Sequence, residues 1–329
     1  MTITNNGFHS RYIMKKSFKI VERILTLTAL LTLAATEGQN YLNVEYQFGG
    51  LCGPVAPDFT YTVFPGGVAV GPDGDIFVTD GWGITRFSGR GVYKEEWELR
   101  GTTFGRPNEP GGIAVSLDGK VYVSDTYSHR IQYFTRGGSF LGMWGSEGKG
   151  KGEFISPVDI DVAADGTVYV VDYGNERIQY FTPTGSFLGM WGRRGSGRGE
   201  FDGPGGIAVG PDGSVYVTDS RNDRIQRFTS TGSFVGVRGG FGNGPGEFWM
   251  PDGIAVSPEG AVFVADSNND RIQYFTTEGK YLGEFGNPGL KEGEFGEPCD
   301  VALGAGGTLY VADFSNNRVQ WFRPVKENE

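Results

Sequence analysis

Short stretches of alternating apolar and polar residues recur along the chain beyond its first forty or so residues, separated by turn-forming residues. One unit shows four of them: GIAVG from Gly206, SVYVTD from Ser214, RIQRFT from Arg224 and SFVGV from Ser233. A period of two, rich in Val, Ile, Tyr and Phe, is typical of β-strands. No long stretch has helical periodicity. The pattern therefore predicts an all-β protein.

The four-strand pattern repeats at a nearly constant interval. An aspartate closes an apolar run at Asp125 and again every 47 residues, at Asp172, Asp219, Asp266 and Asp313. An earlier run ends at Asp80, 45 residues before Asp125, and leads into a shortened segment. Six such units occupy about 280 residues, which leaves no room for a second domain of ordinary size.

Strands that are apolar on both faces must be covered on both sides. Four-stranded antiparallel sheets arranged around an axis provide that cover, so we predict a six-bladed β-propeller. The sixth unit lacks its outermost strand, because the chain ends soon after Phe322. The segment LNVEYQFGG, residues 42–50, is similar to the outermost strand of complete units. We expect this N-terminal strand to close the last blade.

The unit GEFxxPxGIAVxPxGxVYVxDxxNxRIQxFxxxGxFLGxWG resembles the NHL repeat, from about Phe48 to Phe322. The first unit departs from it, because it lacks both the Asn and the Arg. The resemblance implies one of three roles: a protein-binding or RNA-binding platform, an amidating lyase, or an extracytoplasmic module of unassigned role. The fold alone does not choose among these.

The N-terminus favours export. Two lysines after Met14 precede a twelve-residue apolar stretch from Ile24 to Ala35, and small residues follow as far as Gly38. This is typical of a secretory signal, whereas a membrane span needs about 20 residues. We therefore expect residues 1–38 to be an N-terminal extension and signal peptide, and residues 39–329 to be a secreted or periplasmic propeller without a membrane span. An uncleaved anchor is the alternative.

The net charge of −10 and the pI near 4.9 disfavour nucleic acid as a partner. The loops that join one unit to the next are nevertheless basic in units 2 to 4, and we expect them to form a positive crescent for an acidic glycan or protein. The alternative is that these side chains only keep the surface solvated. The crescent would comprise Lys149, Lys151, Arg193, Arg194, Arg198 and Arg238.

The chain has only two histidines, and His9 lies in the segment that we expect to be removed. The other, His129, occupies a variable turn position, which predicts a solvated turn residue. Zinc held by several histidines and a Ser-His-Asp triad are both disfavoured. No P-loop, CxxC or HExxH pattern occurs.

An aspartate and an arginine flank the same turn in five units. We expect each pair to be a bidentate ion pair that, with a neighbouring asparagine (Asn175, Asn222, Asn269 or Asn316), pins the turn as scaffold. The pairs are Asp125 with Arg130, Asp172 with Arg177, Asp219 with Arg224, Asp266 with Arg271 and Asp313 with Arg318.

Two units depart from the small residues that begin the innermost strand. PVDIDV and PCDVAL place Asp159 and Asp300 at equivalent positions three units apart, and Asp161 lies one step further along the same face. Carboxylates that converge on a channel would bind a hard cation such as Ca²⁺ or have raised pKa values through mutual repulsion. A network of ordered water without metal is the alternative.

Cys52 follows the N-terminal strand, and Cys299 begins the innermost strand of the blade which that strand completes. In an exported chain this placement predicts a disulfide across the closure.

We expect a secreted interaction module that binds a protein or glycan through its loops. The alternative is an extracytoplasmic hydrolase or lyase that uses the channel carboxylates, with or without Ca²⁺; we expect no other cofactor. The identity of the ligand and the oligomeric state stay open.

Overall fold

The computed structural model describes residues 43–45, 64–81, 83–98 and 110–325. Its strands form six four-stranded antiparallel sheets, so the predicted all-β architecture with six blades is confirmed. Within a blade, the strands are called a to d from the innermost to the outermost. Residues 1–38, with the predicted signal peptide, lie outside the described residues.

The first three blades follow one another along the chain. Blade 1 contains β2 (Gly67–Val70), β3 (Ile76–Thr79), β4 (Gly83–Phe87) and β5 (Tyr93–Glu98); blade 2 contains β6 (Pro110–Val115), β7 (Val121–Asp125), β8 (Arg130–Phe134) and β9 (Phe140–Trp144); blade 3 contains β10 (Pro157–Val162), β11 (Val168–Asp172), β12 (Arg177–Phe181) and β13 (Phe187–Trp191).

The remaining strands complete the ring, and short 3₁₀ turns occur at Tyr173–Asn175, Ser220–Asn222, Ser267–Asn269 and Ala305–Gly307. Blade 4 contains β14 (Pro204–Val209), β15 (Val215–Asp219), β16 (Arg224–Phe228) and β17 (Phe234–Gly239); blade 5 contains β18 (Pro251–Val256), β19 (Ala261–Asp266), β20 (Arg271–Thr276) and β21 (Tyr281–Phe285); blade 6 contains β22 (Pro298–Leu303), β23 (Leu309–Asp313), β24 (Arg318–Val325) and β1 (Asn43–Glu45).

The turn chemistry follows the residues that the sequence places there. Between strands a and b of blade 4, Gly213 has a φ of +79°, a backbone conformation that favours glycine. Its N–H donates to the carbonyl of Gly210 at 2.9 Å, and the Asp212 carboxylate accepts the N–H of Ser214 at 2.9 Å. The turn between strands b and c ends instead on a non-glycine residue in the left-handed region, with Asp223 at a φ of +52° in blade 4.

The apolar core lies between blades rather than within them. Each cluster of buried residues in the described chain joins two neighbouring blades: Tyr122 of blade 2, for example, packs with Ile160 and Val168 of blade 3. The loop that enters each of blades 3 to 6 contributes one fully buried phenylalanine to these seams, namely Phe154, Phe201, Phe248 and Phe295. Every blade therefore depends on its neighbours for burial.

Blade 6 meets blade 1 in the same way. Tyr310 and Val319 of blade 6 pack with Val68 and Phe87 of blade 1. Beyond this seam, the backbone of β1 pairs antiparallel with β24, with Asn43 opposite Val325. Residues 46–50 of the predicted strand lie outside the described residues, so its role in closing the ring stays a prediction. No helix in the described part of the chain is long and apolar enough to cross a membrane.

Deletion of residues 42–50 tests this closure. The edge of β24 would lose its strand partner, and burying one large apolar side chain contributes about 1.5 to 3 kcal/mol. We expect a clear fall in the thermal unfolding midpoint and a greater tendency to aggregate. A deletion of residues 1–38 is the matched control and should unfold like the mature protein. An unchanged midpoint after the longer deletion would show that the seam between blades 6 and 1 suffices.

Candidate functional site: the loop face and the channel

A fully buried aspartate organises the end of each of blades 3 to 6. In blade 3, the Asp172 carboxylate accepts the N–H of Ile155 at 2.8 Å and the Asn175 amide at 2.9 and 3.0 Å. Arg177 Nε donates to Asp172 Oδ2 at 2.7 Å, and Gln179 Nε2 donates to the same oxygen at 3.1 Å. Four groups thus bind one carboxylate, and we call this arrangement the clasp.

The predicted Asp–Arg pairs are present in five blades, with Nε to Oδ2 distances of 2.6 to 2.7 Å. In blades 3 to 6 the expected bidentate geometry is wrong, because only Nε contacts the carboxylate. In blade 3, Arg177 Nη1 donates to the carbonyl of Lys149, and Nη2 donates to those of Gly150 and Glu153, at 2.8 to 2.9 Å. The arginine therefore joins its own blade to the incoming loop.

The loops that enter the blades and the turns between strands b and c lie at the same end of the molecule, because the clasp joins them. We call this surface the loop face. Its described segments are the loops 145–156, 192–203, 240–250 and 286–297 and the turns 126–129, 173–176, 220–223, 267–270 and 314–317.

Each loop is also held from within. In the loop before blade 4, the Glu200 carboxylate accepts the N–H of Gly197 at 2.9 Å, and Asn222 Nδ2 donates to the carbonyl of Gly195 at 2.9 Å. The same contacts recur before blade 3, where Glu153 accepts the N–H of Gly150. Glycine-rich loops would otherwise be free to move, so these bonds give the loop face a defined shape.

Five of the six predicted cations lie exposed on two neighbouring loops of this face: Lys149, Lys151, Arg193, Arg194 and Arg198. Lys151 Nζ lies 5.8 Å from the centroid of the Phe187 ring, and the Arg198 guanidinium lies 5.8 Å from that of Phe234. Arg193 pairs with Glu200 at 2.6 Å. The loops therefore present a short arc of positive charge.

The sixth cation, Arg238, does not belong to this arc, and the prediction that placed it there was wrong. Arg238 lies within strand d of blade 4, and its Nη2 donates to the carbonyl of Glu278 at 3.1 Å. Glu278 is in the turn between strands c and d of blade 5, at the end of strand c opposite to the loop face. A strand at the outer edge of one blade thus contacts the next blade, which spacing within one unit does not reveal.

Exposed aromatic side chains also lie on the loop face, and the sequence analysis did not single them out. The rings of Phe241 and Trp249, 72% and 46% exposed, are 6.1 Å apart, and the ring of Phe314 lies 5.4 Å from that of Phe64 in the segment before blade 1. One signal could have found Phe314. It follows the strand b aspartate, where Ser220 and Ser267 use their hydroxyl groups to bind the next blade at 2.5 and 2.6 Å.

The variable turn position that holds His129 is a link between blades rather than only a solvated residue. His129 Nδ1 accepts the N–H of Ser156 at 3.0 Å, and the carboxylate of Glu176 accepts that of Gly203 at 2.7 Å. Asp223 binds Met250 in the same way, at 2.8 Å. His129, Glu176 and Asp223 are chemically different, but each uses a side-chain atom to accept a backbone N–H of the next blade. The sequence therefore shows a variable position where the structure has a repeated hydrogen bond.

The a strands of neighbouring blades contact one another and form the inner ring. Asp159 of blade 3 accepts the N–H of Ile207 at 2.8 Å, and Asp161 accepts that of Val209 at 2.7 Å, both in blade 4. In blade 6, Asp300 accepts the N–H of Val68 of blade 1 at 2.7 Å. The three predicted channel carboxylates therefore join inner strands across two opposite seams.

A fourth carboxyl group, Asp252, lies among them and was missed, because the segment PDGIAV was grouped with the small-residue units. An added Cβ on Gly205 would lie 2.6 Å from Asp252 Oδ1, so this carboxyl group reaches across the seam between blades 4 and 5. The sequence carried a signal for Asp252. This residue aligns with Cys299 of unit 6, at a position of the repeat that varies between units.

Burial raises the pKa of each of these carboxyl groups. The pKa of Asp159 rises to about 7, with the charge of Asp161 adding to desolvation, and those of Asp161 and Asp252 rise to about 6. Burial, and then the charge of Asp159, raise the pKa of Asp300 well above its usual range. The backbone N–H donors act in the opposite direction but do not cancel the burial.

The predicted Ca²⁺ site among the channel aspartates can be compared with the side-chain geometry. In the part of the chain that the structure describes, which includes all four, no three Asp, Glu, His or Cys side chains are grouped so that they could hold a metal ion. The carboxylates of Asp159, Asp161 and Asp300 face backbone amides instead, so the geometry gives the speculative Ca²⁺ site no support.

Cys299 has no disulfide partner among the described residues, and its Sγ lies 3.0 Å from the carbonyl oxygen of Pro65, to which a thiol would donate. Burial raises its pKa well above the usual range, so the thiol stays protonated. Cys52 lies outside the described residues, and the predicted disulfide therefore stays a prediction.

The ring of six four-stranded blades, with its cores between the blades, defines a six-bladed β-propeller. Three family models match successive parts of it: a 6-bladed beta-propeller family over residues 110–191, the SMP-30/Gluconolactonase/LRE-like region over 196–291 and the NHL repeat over 295–322. Together, these matches support an NHL-repeat six-bladed propeller family for this chain. No curated protein matches it by sequence.

Solved structures share the fold at low identity. A streptogramin B lyase is 16% identical with a TM-score of 0.60, and the match covers 85% of this chain and 98% of the lyase. A gluconolactonase from Xanthomonas campestris is 17% identical with a TM-score of 0.61, covering 86% and 90%. Virginiamycin B lyase from Staphylococcus aureus is 19% identical with a TM-score of 0.56, covering 82% and 87%.

The raised pKa of Asp159 predicts a dependence of stability on pH. The folded pKa is about 7 and the ordinary value is 3.8, so its contribution is complete below about pH 4 and is lost as the pH rises through about 7. Asp159→Asn removes this titration, and the variant should gain thermal stability relative to the parent between about pH 4.5 and 7.5. One unit of pKa difference is worth about 1.4 kcal/mol, and partial exposure to water will reduce the gain.

Asp165 in the same blade is the matched control. Its pKa is lowered, because its carboxylate accepts the N–H of Thr167, so Asp165→Asn should show no such relative gain. Parallel curves of unfolding midpoint against pH for the Asp159→Asn variant and the parent protein would contradict the prediction.

Proposed function

We propose that this protein is a secreted binding module whose loop face holds an extended anionic partner, either an acidic glycan or an acidic protein segment. The observation that carries the proposal is the arc of five cations on two loops that the clasp holds rigid. Rigid loops lose little conformational freedom when they bind, which favours affinity. Because neighbouring loops share one shape, they suit a ligand that repeats along its length.

The charges on these loops also favour an anionic ligand. No carboxylate in the described chain lies within ion-pair distance of Lys149, Lys151, Arg194 or Arg198, whereas Arg193 pairs with Glu200. Exposed aromatic rings at Phe241 and Trp249 extend the face beyond the arc. Such rings contribute large, stiff contact area to an interface.

A second candidate is a lactone hydrolase or a lyase at the channel. Asp159 and Asp252, with pKa values of about 7 and 6, are suited to proton transfer near neutral pH. The SMP-30/gluconolactonase match and the fold shared with a gluconolactonase favour this candidate. One structure with this fold is that of a catalytically inactive histidine-to-alanine variant of virginiamycin B lyase. Here, by contrast, His129 accepts a backbone N–H, which disfavours an equivalent role.

Charge reversal tests the binding proposal. We expect a variant in which Lys149, Lys151, Arg193, Arg194 and Arg198 are all replaced by Glu to bind a sulfated polysaccharide or polyglutamate at least about tenfold more weakly. Each reversed charge replaces attraction to the anionic probe with repulsion. Salt screens both effects, so the difference between the variant and the parent should shrink at higher salt. Surface plasmon resonance at two salt concentrations measures this loss, and thermal unfolding checks that the fold is intact.

The control reverses two exposed cations at the opposite end of the blades, Arg90→Glu and Lys280→Glu. If the control weakens binding as much as the loop variant does, net charge rather than the loop face is responsible. Unchanged binding by the loop variant would reject the proposed face.

Asparagine variants separate the two candidates. Replacing Asp159, Asp161 and Asp300 with Asn should leave binding to the anionic probe unchanged, because these carboxylates contact only the inner strands. The parent protein and the variant should both be assayed on a panel of lactones and cyclic esters. A turnover that the parent shows and the variant loses would make the channel the active site.

A further inference from the structure

The outer parts of blades 2 and 3 contain the same cluster of three aromatic rings. In blade 2, Tyr122 and Tyr133 stack at 5.6 Å, and Trp144 of strand d lies 6.2 and 5.9 Å from them. The indole also covers Gly185 of blade 3, where an added Cβ would lie 2.6 Å from its ring. The tryptophan thus fills the seam between two blades.

Blade 4 keeps the first ring of this cluster, Tyr216, and replaces the other two. Arg227 stands where blades 2 and 3 have a tyrosine in strand c, and Arg238 stands where they have the tryptophan of strand d. Two such departures in one blade affect the same seam. The unit sequence shows them as RIQRFT and SFVGVRG, against RIQYFT and SFLGMWG.

A half-open cavity of about 130 Å³ lies in the seam between blades 4 and 5. Its apolar walls include Tyr216, Ile225, Val262 and Phe275, and the stems of Arg227 and Arg238 border it. An engineered apolar cavity of about 150 Å³ in another protein binds benzene. The volume therefore suits a small planar ring.

The two arginines differ in their partners. Arg227 lies 5.4 Å from the centroid of Tyr216, pairs with Asp212 at 2.7 Å and donates to the carbonyl of Thr277 at 3.0 Å. Arg238 is exposed and donates only to backbone carbonyls, those of Val237 at 2.8 Å and Glu278 at 3.1 Å. The nearby Glu278 carboxylate accepts the hydroxyl of Thr277 at 2.9 Å. In the described chain, no carboxylate lies within ion-pair distance of Arg238.

We propose that this seam is a binding site for a planar aromatic carboxylate of one or two fused rings. The ring lies in the cavity against Tyr216 and Phe275, beside the Arg238 stem, which covers Gly279 as the indole of Trp144 covers Gly185. The carboxylate accepts hydrogen bonds from the Arg238 guanidinium, a geometry that suits a forked pair. Apolar contact supplies most of the affinity, and the arginine selects the anionic form. The site is separate from the loop face and from the channel.

Isothermal titration calorimetry of indole-3-acetate binding to the full chain tests the site. We expect one site per chain on the parent protein, weaker binding of neutral indole, and no binding of cyclohexylacetate, whose puckered ring does not fit a slot for a flat one. Arg238→Trp restores the residue found in blades 2 and 3, so it should fill the cavity, abolish binding and raise the unfolding midpoint.

Arg238→Gln separates the charge from the cavity. It should weaken indole-3-acetate by about tenfold, the loss expected for one charge-assisted pair, while leaving indole unchanged. Arg90→Gln, in the turn between strands c and d of blade 1, removes an exposed cation outside both proposed sites and should bind both ligands as the parent does.

Three results would overturn the proposal. The first is no binding of indole-3-acetate by the parent protein at millimolar concentration. The second is equal binding by the Arg238→Trp variant, which would place the ligand elsewhere. The third is equal loss of indole and indole-3-acetate in the Arg238→Gln variant, which would show that Arg238 does not read the carboxylate.

Discussion

The arrangement of the loop face depends on one buried carboxylate in each of blades 3 to 6. A carboxylate removed from water is costly unless charged and polar groups surround it. Asp219 shows the balance: burial raises its pKa, while the N–H of Asp202, the Asn222 amide and Arg224 lower it. Its arginine continues to the loop carbonyls, so replacing Asp219 alone would leave several buried donors unsatisfied. The clasp thus fixes the backbone of the loops that carry the cations.

The repeated unit supplies the scaffold, and departures from it supply the chemistry. Blades 3 and 6, which lie opposite each other, have an inner-strand aspartate, Asp159 or Asp300, where other blades have glycine. Added Cβ atoms on Gly112 and Gly253 would lie 2.2 and 2.5 Å from Oδ1 of Asp159 and Asp300. Each aspartate thus lies against a glycine of the preceding blade. A side chain at either glycine would therefore collide with the aspartate of the next blade.

Much of this fold could be predicted from the sequence, because strands, turns and the Asp–Arg pairs are set by residues close together in one unit. Contacts between units could not. The Arg238 side chain contacts the next blade, about 40 residues away, and its role follows only once the seams are known. His129 was interpreted as a turn residue for the same reason, since its bond to Ser156 joins two units. Asp252 was missed for a different reason. Its segment, PDGIAV, was grouped with the units that begin strand a with small residues, so its carboxyl group was not considered separately.

The channel and the loop face differ in what they leave available to a ligand. Asp159 has a pKa suited to proton transfer, yet its oxygens accept the backbone N–H groups of Ile207 and Ile160. A catalytic group needs a reacting atom beside it and further groups aimed at the same point. The inner aspartates are oriented toward neighbouring strands, so their hydrogen bonds stabilise the seams. On the loops, by contrast, backbone groups bind the clasp, and the charged ends of the side chains stay exposed to solvent and to a ligand. This division favours recognition at the loop face over chemistry in the channel.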